Sequence, residues 1–177
     1  MKVRRDSIIR NCWIANNGAV GISGSGSVDP AAAAYAFEIV DNVIHDNNYR
    51  LFSPSWHAGG IKVTTNTSGT IRNNKVVANK GTGIWTDGCR SGAPILISAN
   101  YLADNITLYK GYVWGEGIFI EISRNAQVTN NLVLRAPLRG IYVSASDDTL
   151  AEREGPDKVT LPPMGRVQAR GHGRRRA

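Results

Sequence analysis

Apolar and polar residues alternate along the chain in a phrase that recurs five times. The phrase is an apolar residue, two variable residues, Asn, one variable residue and a second apolar residue. Its copies lie at residues 8–13, 39–44, 71–76, 97–102 and 128–133. Short apolar alternations of this kind predict β-strands of a few residues each.

Two further features follow each copy of the phrase. Another Asn stands three residues after the second apolar position in four copies, at Asn16, Asn47, Asn79 and Asn105, and the fifth copy has Ala136. Each copy then reaches a Gly-Ile pair, at residues 21–22, 60–61, 83–84, 117–118 and 140–141. Because the phrases return every 26 to 32 residues without helical patterns between them, they predict the coils of a solenoid.

Stacking of five coils predicts three inward columns of apolar side chains. The first column is Ile8, Ile39, Ile71, Ile97 and Val128, the second is Trp13, Ile44, Val76, Leu102 and Val133, and the third is Ile22, Ile61, Ile84, Ile118 and Ile141. Asn suits the bends between columns because it tolerates the left-handed conformation, and stacked Asn amides can bond along the axis. The Gly before each Ile would allow a tight corner.

The pattern resembles the right-handed parallel β-helix repeat family, which has the pectin-lyase-like fold. The resemblance covers residues 7–148 and is carried by the Asn phrases and by the stretches at 83–87, 117–123 and 140–144. It implies an all-β, right-handed parallel β-helix of about five coils, and it supplies the handedness. The fold hosts lyases, glycosidases, epimerases, phage tail fibres and adhesins, so it does not by itself assign a function.

Side chains along a strand point alternately to its two faces. The residues one and three positions after each Gly-Ile pair therefore predict two ladders on one outer face. One ladder is Ser23, Lys62, Trp85, Phe119 and Tyr142, and the other is Ser25, Thr64, Asp87, Glu121 and Ser144. Asp87 and Glu121 would lie on adjacent coils, about 5 Å apart at the backbone, a spacing that suits retaining glycoside hydrolysis. The pair could instead bind Ca²⁺, or form a solvated polar ladder without a role.

Two insertions point to the same face. Coils two and four are each longer by about eight residues, at 49–57 and 106–115, judged against the short loops usual between strands. The aromatic residues in them are Tyr49, Phe52, Trp56, Tyr109, Tyr112 and Trp114. We expect them to form two walls around coil three, where aromatic faces would pack on sugar rings. The alternative is that these side chains only anchor their loops.

Single residues extend the set of candidates. His57 beside a Gly pair could act as a general base, and Glu116 could join the two carboxylates. Lys62 could contact an acidic sugar. The substrate-binding candidates are therefore Trp85, Phe119, Tyr142, Trp114, Trp56 and Lys62. Three dispersed histidines show no ligand spacing, so we expect no metal site of the zinc kind and no cofactor beyond the possible Ca²⁺.

Charge and composition narrow the classes of partner. The net charge is +7, of which residues 152–177 supply +4 through seven basic and three acidic residues, so we expect no specific nucleic-acid partner. No apolar run is long enough to span a membrane. The two cysteines do not make a disulfide framework. We predict a β-helix domain over residues 1–151 and a disordered basic tail over 152–177.

The leading expectation is a module that cleaves a polysaccharide as a lyase or glycosidase, with Asp87 and Glu121 as its acidic pair. The alternatives are a glycan-binding module without catalysis and a structural solenoid of a phage fibre or surface adhesin. No signal peptide is recognisable, and we expect the chain to be a fragment of a longer solenoid from an extracellular or cell-surface protein, bacterial by its resemblance. The sequence does not predict the oligomeric state.

Overall fold

The computed structural model describes residues 1–29, 35–147, 149–152, 159–160 and 167–170, which contain strands and no helix. The strands are β1 (Lys2–Val3), β2 (Ser7–Arg10), β3 (Trp13–Ala15), β4 (Val20–Ser25), β5 (Tyr35–Val40), β6 (Val43–His45), β7 (Gly59–Thr64), β8 (Thr67–Arg72), β9 (Lys75–Val77), β10 (Thr82–Asp87), β11 (Ile95–Ser98), β12 (Tyr101–Ala103), β13 (Thr107–Tyr109), β14 (Tyr112–Trp114), β15 (Ile118–Glu121), β16 (Ala126–Thr129), β17 (Leu132–Leu134), β18 (Ile141–Ser144), β19 (Thr149–Glu152), β20 (Val159–Thr160) and β21 (Val167–Arg170).

Three parallel sheets run along the axis of the molecule. Sheet A has the order β1-β4-β7-β10-β15-β18-β20, sheet B the order β2-β5-β8-β11-β16-β19-β21, and sheet C the order β3-β6-β9-β12-β17. Each coil passes through sheets B, C and A in turn, which gives five complete coils between β2 and β18. This arrangement is a parallel β-helix, and it confirms the predicted all-β solenoid of about five coils.

The third predicted column is confirmed over its whole length. Ile22, Ile61, Ile84, Ile118 and Ile141 lie in register on consecutive strands of sheet A, and all are buried. In the other two columns, the predicted members of coils two to five are also buried. These columns form one continuous core.

The prediction for the first coil was wrong by one residue. Ile9, not Ile8, pairs with Ile39, and Ile14, not Trp13, pairs with Ile44. Ile9 and Ile14 are buried, whereas the side chains of Ile8 and Trp13 are 63% and 72% exposed. A shift of one residue turns a strand over, and both sites offer two adjacent apolar residues, so the pattern alone did not distinguish the registers.

Two ladders of buried Asn amides join the coils. At the corner between sheets B and C, the backbone N–H of Cys12 donates to Asn42, and the series continues through Asn74, Asn100 and Asn131. Each of these side chains also donates to a carbonyl of the preceding coil, for example Asn74 Nδ2 to Ile39 O at 2.8 Å. Every amide is thereby paired inside the core, as buried polar groups require.

The second ladder lies at the corner between sheets C and A. It runs through Asn17, Asn47, Asn79 and Asn105 with amide–amide distances of 2.7 to 2.9 Å, and it ends where coil five has Ala136. The member in coil one is Asn17, not the predicted Asn16, which follows from the same one-residue shift.

The residue just before each ladder position has the left-handed backbone conformation and forms the bend. At the first corner these are Asn11, Asp41, Asn73, Ala99 and Asn130, and at the second they are Asn16, Asp46, Ala78, Asp104 and Arg135. All ten have φ between 52° and 59°. Asn therefore serves at two adjacent positions, as the bend residue and as the ladder amide, which explains the Asn-Asn pairs at 16–17, 73–74 and 130–131.

A third ladder at the corner between sheets A and B was not predicted. Thr67 Oγ1 lies 3.0 Å from Cys89 Sγ, the backbone N–H of Cys89 donates to Ser123 Oγ, and that of Ser123 donates to Ser146 Oγ. Burial raises the pKa of the Cys89 thiol, which keeps it protonated within this row. Because Thr, Cys and Ser share the row, no single residue type marks this corner throughout the sequence.

The Gly before each core Ile is required for space and not for a tight corner. None of Gly21, Gly60, Gly83 and Gly117 has a positive φ. A Cβ at Gly83 would lie 2.6 Å from Gly117 O and 3.0 Å from both Asn105 Nδ2 and Leu102 Cδ2. The glycine column therefore makes room for the second Asn ladder and the apolar column beside it.

The predicted tail over 152–177 lies mostly outside the described residues, and the described part comprises Glu152, β20 and β21. Its disorder stays a prediction. Over the described ranges, no helix has the length and apolar character needed to cross a membrane.

Substitution of Gly83 by Ala should destabilise the protein by about 1–3 kcal/mol, because the added methyl group overpacks the core. Gly92→Ala is the matched control, since a Cβ there meets nothing within 4 Å and φ is not positive. We expect the control to be neutral or stabilising by up to about 1 kcal/mol. Urea denaturation measures both, and equal effects of the two substitutions would contradict the role given to the glycine column.

Candidate functional site

The two outer ladders of sheet A form with the predicted register. Ser23, Lys62, Trp85, Phe119 and Tyr142 are consecutive Cα partners, and so are Ser25, Thr64, Asp87, Glu121 and Ser144. Asp87 and Glu121 are therefore neighbours across β10 and β15, where parallel strands lie about 4.8 Å apart.

The aromatic ladder is a closed stack. The rings of Trp85 and Phe119 stack with centroids 5.3 Å apart, and those of Phe119 and Tyr142 stack at 4.8 Å. A cation covers each end, with Lys62 Nζ 3.3 Å from the Trp85 centroid and Arg139 Cζ 4.0 Å from the Tyr142 centroid. Both faces of each ring are thus occupied, so these three aromatic residues do not offer open faces to a sugar.

Lys62 is buried, although it belongs to an outer ladder. It is 4% exposed, and its Nζ donates to Trp56 O at 2.6 Å and pairs with Asp87 Oδ2 at 3.0 Å. With the Trp85 ring as third partner, the ammonium is fully occupied. Lys62 therefore links the first insertion to Asp87, and its ammonium has no free donor for an acidic sugar.

The Glu121 carboxylate is partly buried and accepts a hydrogen bond from the aromatic ladder. Its Oε2 accepts a hydrogen bond from Trp85 Nε1 at 3.1 Å. Burial, and then the negative charge of Asp87, raise the pKa of Glu121, against the opposing effects of the Trp85 hydrogen bond and the Lys62 charge. A carboxyl group whose pKa is raised beside a second carboxylate is the arrangement that supplies a general acid.

Glu116 is buried and held by structural partners. Thr82 Oγ1 donates to its Oε2 at 3.0 Å, and Arg139 Nη1 donates to its Oε1 at 3.2 Å. The two carboxylate oxygens of Glu116 therefore link coil four to coil three and to coil five. Its negative charge contributes to the raised pKa of Glu121, although it is the last of the causes.

The first insertion closes a polar pocket next to Asp87. The pocket has a volume of about 290 Å³ and is lined by Trp56, His57, Lys62, Thr64, Thr65 and Asp87. The Trp56 side chain is 78% exposed at its rim. The sequence marks Trp56, His57, Lys62 and Asp87 as candidates and places Thr64 only in the outer ladder, whereas Thr65 was not predicted. Both threonines border the pocket because β7 ends beside it.

The surroundings of His57 in this pocket lower the pKa of its imidazole. Burial is the largest cause that lowers the pKa of His57, and the positive charges of Lys62 and Lys2 lower it further. The imidazole is therefore neutral near pH 7, as a group that accepts a proton or a hydrogen bond must be.

The second insertion is a β-hairpin of β13 and β14, with Tyr109 and Tyr112 at its turn. None of its residues lines the polar pocket. Trp114 is half-buried, and its Nε1 has no hydrogen-bond partner among the described residues. Of the two expected aromatic walls, only the first borders Asp87, and the part given to Trp114 stays a prediction.

Metal ligands are sparse in the described part of the chain, where no three His, Cys, Asp or Glu side chains come together. The carboxylates of Asp87 and Glu121 would be the protein ligands if Ca²⁺ bound here. Asp87 already has the Lys62 ammonium as its partner, so a cation would have to compete with it.

The raised pKa of Glu121 gives a prediction for stability. The folded protein holds this proton more tightly than the unfolded chain, so stability is lost as the pH rises through the folded-state pKa. Glu121→Gln removes the charge and keeps an acceptor for Trp85 Nε1. The free energy of unfolding of the variant relative to wild type should therefore increase between about pH 4 and about pH 7.

Urea denaturation at both pH values measures this shift. Glu38→Gln is the control, because Glu38 is an exposed acid on sheet B and pairs with Arg10. A difference for Glu121→Gln that stays constant with pH would contradict the assignment.

The contacts of Lys62 give a second prediction. Lys62→Met should loosen residues 49–57, because Trp56 O loses its charged donor, a bond that contributes about 1.5–3 kcal/mol. Amide hydrogen exchange in that loop should accelerate by about tenfold or more. Lys75→Met, at an exposed outward position of sheet C, should leave the loop unchanged. Unaltered exchange in Lys62→Met would show that the loop is held by other contacts.

Comparison with known proteins gives one match. The sequence model of a family described as a right handed beta helix region matches residues 2–153. Searches of curated proteins and of solved structures found no match.

Proposed function

Since the chain belongs to the right-handed β-helix family, we propose that it is a carbohydrate-active protein that hydrolyses a polysaccharide in the pocket beside Asp87. The observation that carries the proposal is the carboxylate pair of Asp87 and Glu121 on adjacent strands, with the pKa of Glu121 raised by burial and by Asp87. Many proteins with this fold act on polysaccharides, which agrees with the proposal but does not fix the substrate.

The two carboxylates have different environments and therefore different roles. Glu121 would be the general acid, because its raised pKa keeps the proton available for the leaving oxygen. Asp87 borders the pocket and would attack the sugar carbon from the other side to form a glycosyl ester. Water, activated by Glu121 after it has given up its proton, would then hydrolyse this ester and release the sugar. Their backbone spacing of about 4.8 Å is near the carboxylate separation of retaining glycosidases. The threonine hydroxyl groups and neutral His57 would bind sugar hydroxyl groups.

Hydrolysis fits this pocket better than lysis of a uronate. A lyase would need a free cation to neutralise the carboxylate of the sugar, in addition to a base such as His57. The ammonium of Lys62 is already bound to Asp87, Trp56 O and the Trp85 ring. The pocket therefore favours a neutral sugar.

A second candidate is a glycan-binding module without catalysis. One observation favours it, which is the ion pair between Asp87 and Lys62, because a carboxylate held in this way can position a ligand without reacting. In that case Trp56 would supply most of the affinity through its exposed ring.

A depolymerisation screen tests the two candidates. The full chain and the variants Asp87→Asn and Glu121→Gln are incubated with neutral and uronate polysaccharides, and new reducing ends are measured. We expect product on a neutral polymer and a loss of about 10²–10⁴ in rate for each variant. The rate of wild type should also fall as the pH rises through the raised pKa of Glu121, since the general acid then loses its proton.

The controls are Asp147→Asn and Glu38→Gln, which are exposed ion-paired acids outside the pocket and should retain the wild-type rate. Equal rates for all variants would reject Asp87 and Glu121 as the acidic pair. Binding without product, lost in Trp56→Ala and kept in Asp87→Asn, would select the binding module.

A further inference from the structure

A second cavity shares Trp56 and His57 with the Asp87 pocket. It has a volume of about 300 Å³ and is lined by Ala19, Phe52, Ser53, Trp56 and His57. Because Trp56 and His57 line both cavities, a ligand in the Asp87 pocket would have this space directly beside it.

Phe52 is an exposed ring on a fixed backbone. Its side chain is 51% exposed. Its N–H donates to Asn48 Oδ1 at 2.9 Å, and its carbonyl accepts from Asn48 Nδ2 at 3.0 Å. Asn48 is buried and also donates to Lys80 O on the next coil, which anchors the loop to the solenoid.

Trp56 is held in the same manner. The buried ammonium of Lys62 fixes its carbonyl, while most of its ring remains open to solvent. Because hydrogen bonds hold the backbone of both residues, a ligand would have to order only their side chains. Exposed rings that only anchored their loop would instead be packed against the sheet.

The chemistry of the second cavity differs from that of the first. Phe52, Trp56 and Ala19 supply apolar surface, and the hydroxyl of Ser53 is already bonded to that of Ser55 at 2.8 Å. His57 is the other polar lining residue, and its lowered pKa favours the uncharged form. A bare sugar ring would find few hydrogen-bond partners on the protein here, whereas an apolar group would leave water to contact Phe52 and Trp56.

We propose that this cavity is an apolar subsite for an aryl or O-acyl group attached to the sugar that occupies the Asp87 pocket. The inference rests on the proposed function to the extent that a sugar binds beside Asp87. The ligand class is then a substituted glycan or glycoside, with its hydroxyl groups facing the threonines and its apolar group between Phe52 and Trp56. Selection between substituted and bare sugars depends on Phe52, which lines only the second cavity.

Three probes that share one sugar ring test the subsite. They are methyl glucoside, phenyl glucoside and methyl 6-O-acetyl glucoside. Each is titrated into the full chain, and the indole N–H signals of its tryptophans are followed by NMR, with that of Trp56 assigned from Trp56→Phe. We expect phenyl or acetyl glucoside to shift the Trp56 signal at concentrations where methyl glucoside does not.

Phe52→Ala should weaken binding of the responding probe by about tenfold, as expected for loss of an aromatic contact. Leu51→Ala is the matched control, since Leu51 is equally exposed on the same loop and lines neither cavity. A response to phenyl glucoside alone identifies an aryl group as the ligand, and a response to the acetyl compound alone identifies an acyl group.

Equal shifts with all three probes, no shift with any, or unchanged binding in Phe52→Ala would overturn the subsite. These results differ from failure of the proposed function. If catalysis is absent, the polysaccharide screen gives no product while the substituted probe still shifts Trp56. If only the subsite is wrong, product forms and Phe52→Ala leaves probe binding unaltered.

Discussion

The stacking of each coil on the next in fixed register is the constraint on which the rest of the structure depends. Backbone hydrogen bonds of three parallel sheets set the spacing, and the buried Asn amides set the register, because each must meet the amide one coil away. An amide displaced by one residue would be buried without a partner, at a cost of about 1–3 kcal/mol. The glycine column follows from the same constraint, since the second ladder leaves no space for a Cβ beside it.

The same register builds the candidate site. Carboxylates and aromatic rings that are distant in sequence become neighbours because they occupy equivalent positions on successive coils. On the outer face, the column from Lys62 through the three rings to Arg139 joins successive coils, as the Asn ladders do at the corners. Its main contribution is to hold two cations where they pair with Asp87 and Glu116. The rings therefore support the charged groups, and the exposed aromatic rings that line the two cavities are those of Trp56 and Phe52 on the first insertion.

Much of this arrangement was readable from the sequence, because a repeated phrase fixes which residues are equivalent. The coil number, the third column and both outer ladders followed from the Gly-Ile pairs. The first coil was misaligned because Ile8-Ile9 and Trp13-Ile14 are apolar in either register. The burial of Lys62 was not predictable, since it depends on where the loop places Trp56 O. The third corner ladder was hidden by its variable residue types, and the apolar cavity depends on how Asn48 folds the loop.

Both insertions leave the solenoid at one corner, between sheets C and A, after an Asn of the second ladder has closed the preceding turn. Coils with and without insertions stack in the same register. The length of the loop at this corner therefore does not affect the stacking of the coils. Such a corner can exchange loops during evolution, or in the laboratory, while the acidic pair stays in place. Under the proposed function, specificity for a sugar and its substituents would then change independently of Asp87 and Glu121, by replacing about ten residues of surface chain.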